Sequence, residues 1–100
     1  MTVHGTVYNL TLTNANTEYS QQLPANCCRY DFQCRTAFDV RYAWVTGKVA
    51  GPTAPYMTLK AGGTFTSEFV PQSLGQQTLY FASAQAGVVV EIICYARSDS

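Results

Sequence analysis

Between Cys28 and Arg35 the chain alternates strictly. Cys28, Tyr30, Phe32 and Cys34 fall at one parity, and Arg29, Asp31, Gln33 and Arg35 at the other. Successive side chains of an extended strand point to opposite sides of a sheet. A period of two therefore describes an antiparallel strand with one face in a core and the other toward water. No stretch of twelve or more residues carries apolar groups at helical spacing, whereas strand signals separated by turn residues recur along the chain.

Val3 to Thr13 is rich in Val, Tyr, Leu and Thr, with Val3, Tyr8, Leu10 and Leu12 as candidate core contacts. Asn14-Ala15-Asn16 reads as a turn, because short amide side chains satisfy nearby backbone groups. Thr17 to Leu23 forms a short second strand, closed by Pro24-Ala25-Asn26. Val40 to Thr46 places Val40, Tyr42 and Trp44 opposite Arg41, Ala43 and Val45. Gly47 to Pro55, with two glycines and two prolines, is a loop able to supply an exposed rim. Tyr56 to Lys60 and Thr64 to Phe69 read as a hairpin across Ala61-Gly62-Gly63. Val70 to Gln76 is irregular, around Pro71 and Gly75. Thr78 to Ser83 offers Leu79 and Phe81 on one face and turns through Gln85-Ala86-Gly87. In the last strand Val88, Val90, Ile92, Cys94 and Ala96 share a face, and Val89, Ile93 and Tyr95 are apolar on the other.

Two apolar layers with short connections predict an all-β, antiparallel β-sandwich of seven or eight strands, jelly-roll-like, with a small β-barrel as the alternative. One hundred residues make a single domain, 1–100, with residues 1–8 as an extended N-terminal arm.

Charged residues are 12% of the chain, about half the usual share, and six basic residues cancel six acidic ones. A monomer so sparsely charged has weak colloidal protection, which points to a surface covered in an oligomer or larger assembly, the alternative being that Thr, Ser, Gln and Asn keep it soluble. The basic residues are separated and interleaved with Asp31, Asp39 and Glu91, so no phosphate backbone is a partner. The most apolar run, Gly87 to Ala96, is roughly half the length of a bilayer span, so no membrane is expected. Met1-Thr-Val-His4 shows no secretory pattern, which predicts synthesis in the cytoplasm.

The sole histidine, His4, lies near the first residue and reads as a solvent-facing end residue rather than a general base. Without a second histidine, most triads and zinc sites lack a component. Cys27 and Cys28 are neighbours whose thiols point apart in an extended chain. With Cys34 and Cys94 they do not make the paired spacing of zinc sites. The four thiols read as free and buried, with a Cys34–Cys94 bridge as the one pairing that strand parity allows. Asp31, Asp39, Glu68 and Glu91 read as ionic partners of Arg29, Arg35 or Arg41. Neither Gly47-Lys48 nor Gly62-Gly63 belongs to a phosphate-binding fingerprint. Catalytic residues: none; cofactor-binding residues: none; metal ligands: none. The chain reads as no enzyme. Its aromatics, Trp44 among them, read as core and oligomer interface, with a sugar-stacking groove as the competing use.

Several segments together resemble small proteins of tailed bacteriophages: Leu23-Pro24-Ala25 before a strand, Arg35-Thr-Ala-Phe-Asp-Val-Arg-Tyr42, Tyr56-Met-Thr-Leu-Lys-Ala-Gly62, Thr78-Leu-Tyr-Phe-Ala-Ser83 and Ala86-Gly-Val-Val-Val-Glu91. The likeness covers roughly residues 20–97 and carries no catalytic fingerprint. It implies a β-sandwich structural protein of the virion: a capsid decoration or cement protein of the head, or a neck or tail component. The implied partners are its own copies, as a homotrimer, and the major capsid protein or another virion protein. The alternative it implies is a carbohydrate- or receptor-binding module of a tail or neck. The double cysteine Cys27-Cys28 departs from the pattern.

Overall fold

A computed structural model of the chain describes residues 2–67 and 77–98, with backbone alone for 2–4 and 97–98. Eight strands follow in order: β1 (Thr2–Leu12), β2 (Tyr19–Gln22), β3 (Cys27–Cys34), β4 (Val40–Ala43), β5 (Met57–Leu59), β6 (Thr64–Thr66), β7 (Thr78–Ala82) and β8 (Val88–Ser98). They form two antiparallel four-stranded sheets, ordered β1-β8-β3-β6 and β2-β7-β4-β5. The chain crosses between sheets at every connection except β4 to β5. That alternation is a jelly roll, and the sheets stay open instead of closing into a barrel.

The period-two pattern places the core. From β3, Tyr30, Phe32 and Cys34 face inward opposite Cys94, Ile92 and Val90 of β8. Val40 and Tyr42 of β4, Leu59 of β5, and Leu79 and Phe81 of β7 meet them from the second sheet. Phe32, 1% exposed, is the hub. Its ring lies 4.9 Å from Tyr42 and 5.1 Å from Phe81, both edge-on, and 4.7 Å from Phe65 in a stack. Such offset and edge-to-face contacts match negative ring faces with positive ring edges, and a ring this size buries a large apolar area.

Two features differ from the sequence reading, each for a physical reason. Tyr56–Lys60 and the segment from Thr64 do not form a hairpin. β5 belongs to one sheet and β6 to the other, so Ala61-Gly62-Gly63 turns the chain across the sandwich. Gly62 supplies a φ of +81°, Gly63 N–H donates to the Lys60 carbonyl at 2.8 Å, and Asp39 accepts from Ala61 N–H at 2.8 Å.

The register of β3 against β8 steps between Cys27 and Arg29, leaving Cys28 as the extra residue of a β-bulge. Cys27, opposite Ala96, takes the inward position that simple alternation assigns to Cys28. The Cys28 thiol donates to the Tyr95 carbonyl at 3.0 Å, and Cys28 is buried.

All four cysteines are free. Cys34 faces Val90, four residues along β8 from Cys94, or roughly 13 Å at the rise of a strand, far beyond the reach of a disulfide.

From Thr2 onward the N-terminal segment is extended and ladders against β8, with Thr2 opposite Ser98 and Leu12 opposite Val88. The side chains of Val3 and His4 lie outside the described residues, as do Val70–Gln76, Glu68 and Phe69.

Candidate binding site

Beyond Ala43, where β4 ends, the chain enters a long excursion before β5 begins at Met57. This excursion is more than a solvent rim. Val49 is fully buried against Ala43, Ala82 and Tyr80, forming a small second core on the outer face of the β4–β7 pair. Arg41 fixes it there. Its Nε donates to the Val49 carbonyl at 2.7 Å, and its Nη2 to Asn16 Oδ1 at 2.8 Å. Glu18 fixes the near end, accepting from Thr46 Oγ1 at 2.6 Å and Gly47 N–H at 2.9 Å. Gly47, at φ +86°, allows the chain to turn at that clamp.

Trp44, the residue after β4, is held from three directions. Its Nε1–H donates to Tyr30 Oη at 2.8 Å, its ring meets Tyr42 edge-on at 5.6 Å, and it leans on Phe65 at 5.7 Å. Tyr30 and Phe65 belong to one sheet and Tyr42 to the other, so the indole bridges the sandwich. Burial pushes the Tyr30 hydroxyl above the usual tyrosine value, the Trp44 N–H opposing it. The phenol stays neutral at neutral pH and accepts the indole proton.

Held this way, Trp44 still leaves 40% of its surface open to solvent. Around it lies an open pocket of about 280 Å³ lined by Tyr42, Val45, Lys48, Tyr56 and Met57. Val45, Tyr56 and Met57 are exposed, so the pocket sits in an apolar patch whose cationic group is Lys48. Large aromatic and Met side chains are what protein interfaces concentrate at their centres. Among the described residues the lining contains no carboxylate or side-chain amide, the groups that usually bind sugar hydroxyls.

Tyr30, Phe32, Tyr42, Phe65 and Phe81 are core, and the site gathers Trp44 and Tyr56. Among the described residues Asp31, Asp39 and Glu91 act as ion partners. Arg29 lies 3.6 Å from Asp31, Arg35 3.0 Å from Glu91, and Lys60 3.4 Å from Asp39; Arg41 instead holds the loop. Glu91 is held below its ordinary value by Gln33 Nε2 and then Arg35, and Asp39 by the Ala61 N–H and then Lys60.

Cys94, fully buried, has its thiol pushed up to about 12, first by burial and then by a hydrogen bond with Cys27. It is a packed thiol, not a nucleophile. Among the described residues no group of three or more His, Cys, Asp or Glu is arranged to hold a metal. Among the described residues no helix is long and apolar enough to cross a membrane. Comparison of the chain with family models, with curated proteins and with solved structures gives no match.

Proposed function

We propose that the chain is a structural virion protein, a capsid decoration protein of a tailed phage head that docks on capsid subunits through the Trp44–Tyr56 surface. The observation that carries this reading is the immobilised indole. Two sheets, a hydrogen bond and two loop clamps hold Trp44 in place while its face remains open among Val45, Tyr56 and Met57. A side chain already fixed loses little rotamer freedom on docking, so more of its burial energy reaches the complex. The low charge of the chain is in keeping with a surface covered by neighbours. The jelly roll is an architecture shared by capsid and lectin domains, an analogy of fold alone.

A decoration protein acts through many equivalent weak contacts, since attachment at one raises the effective concentration at the next. The test is mass spectrometry and imaging of washed particles produced from a genome that encodes the chain. The expected result is stoichiometric copies on the head lattice, lost when Trp44→Ala replaces the native residue. Particles without the chain would remove the proposal.

The second reading is a carbohydrate- or receptor-binding module, favoured by the open face of Trp44, on which an apolar sugar face could stack. Titrating Trp44 fluorescence with glycans and with undecorated capsids separates the two, the capsid response being the one expected.

A further inference from the structure

Among the described residues the sandwich has four edge strands, and three of them are short: β6 and β5 have three residues and β2 has four. Short edges offer too few free backbone groups to pair with another chain. The fourth edge, β1, is different. It runs eleven residues, Thr2–Leu12, and among the described residues its only ladder neighbour is β8. Every second residue therefore turns its N–H and C=O outward, away from β8. None of the usual protections is present: Thr-Val-His-Gly-Thr-Val-Tyr-Asn-Leu-Thr-Leu contains no Lys, Arg, Asp, Glu or Pro. On its outer face Gly5 lies under the Ile93 side chain, 3.4 Å from a Cβ built there, and Val7 is 64% exposed.

We propose that β1 pairs with the β1 of a second copy, antiparallel about a two-fold axis through Val7, fusing two four-stranded sheets into one of eight strands. Val7 is the midpoint of the strand, so this register overlaps all eleven residues, sets Val7 against Val7 and Gly5 against Asn9, and opposes no like charges. Paired β-branched side chains are favourable cross-strand neighbours. The net charge of zero leaves no long-range repulsion between copies. A strand edge ~37 Å long and ~10 Å deep covers ~370 Å² per copy, under half of the roughly 800 Å² per partner of a standard stable interface. The pair is accordingly weak and concentration-dependent, and copies already tethered on a common surface form it most readily. In that last respect the inference rests on the assembly reading above.

Sedimentation velocity of the full chain from ~10 µM to ~1 mM spans the affinities such an edge can reach. The expected result is a monomer passing into a dimer. Val7→Lys and Thr11→Lys, both at exposed positions, should each weaken association at least tenfold while leaving the circular dichroism and melting temperature of the monomer unchanged. Mixing Val7→Lys with Val7→Glu should restore the dimer, since the two charges then meet across the axis. Amide exchange at Gly5–Thr11 should slow with concentration in the wild type alone. A monomer throughout the range, a trimeric mass, or a dimer indifferent to both lysines would overturn the pairing and leave the Trp44 surface as it stands. Absence of the chain from particles would remove the proposed function and leave the dimer standing.

Discussion

The hydrogen bond between Trp44 and Tyr30 can be removed with little change in shape, and its strength is open to calculation. Tyr30→Phe deletes one oxygen from a residue that is 3% exposed. It leaves the indole Nε1–H without its acceptor at 2.8 Å. An unpaired buried donor costs about 1–3 kcal/mol, but Trp44 is partly open and water can reach the freed N–H, so the loss falls near ~1 kcal/mol. With an urea m-value of about 1–1.5 kcal/mol/M for a domain this small, the unfolding midpoint should drop by about 0.7–1 M.

A double-mutant cycle with Trp44→Phe, followed by far-ultraviolet circular dichroism, isolates the pair. The coupling should be about 0.5–1.5 kcal/mol. Trp44 is the sole tryptophan, so its fluorescence reports the ring alone. Tyr30→Phe should lower its steady-state anisotropy and shift its emission to the red as the ring loosens. If the two substitutions prove additive to within ~0.3 kcal/mol, or the anisotropy does not change, the indole is not held by Tyr30 and the preorganisation argument fails.

Phe32→Ala should destabilise the fold by about 3–5 kcal/mol, a large part of the total for a domain of this size, and thermal melting would show it. Ser67 Oγ accepts the buried Tyr30 N–H at 2.8 Å, while Ser67 N–H donates to the Tyr30 carbonyl at 2.9 Å. Ser67→Ala strands one donor and should cost about 1–3 kcal/mol in urea, whereas Ser67→Thr, which keeps the oxygen, should cost less. Glu91 and Asp39 are depressed below their usual 4.5 and 3.8, so their contribution is complete above those values and is lost as pH falls through the lower folded values. Melting temperature should therefore fall below about pH 4, and Glu91→Gln should flatten that acid limb. A thiol reagent applied at neutral pH to the native chain should modify Cys34, which is partly exposed, well before Cys94; quantifying labelled peptides by mass spectrometry checks the order.

The alternation in β3 and β8 was enough to read an all-β sandwich, because a buried face imposes its period directly on the residues that build it. The same rule misplaced Cys27 and Cys28. A bulge adds one residue without changing composition, so no local pattern announces it. The hairpin at Ala61–Gly63 failed similarly: a glycine turn joining two strands is compatible with pairing them or with sending them to opposite sheets. Trp44 was legible as an aromatic in a strand-like run but not as the edge of a pocket. Its position depends on Tyr30, Phe65 and a loop held by Glu18 and Arg41, contacts distant in sequence. Glu18 carried no signal at all. The burial of Val49 could have been suspected from Ala43 and Ala82, small residues at positions where an exposed sheet face usually carries polar ones.

The ladder of β1 against β8 also constrains the order of folding. Leu12 meets Val88 and Thr2 meets Ser98, so β1 can find its place only after nearly all the chain between them is available. Closing so long a loop is entropically unfavourable, and folds dominated by distant pairings form slowly, in milliseconds to seconds. Until β8 arrives, β1 is an uncharged strand with both edges unsatisfied, the state most prone to pairing with the wrong chain. Freedom from crowding while β8 is still unpaired therefore favours the yield of folded protein. Charged residues introduced on the outer face of β1 should raise that yield even where they leave the stability of the finished domain untouched.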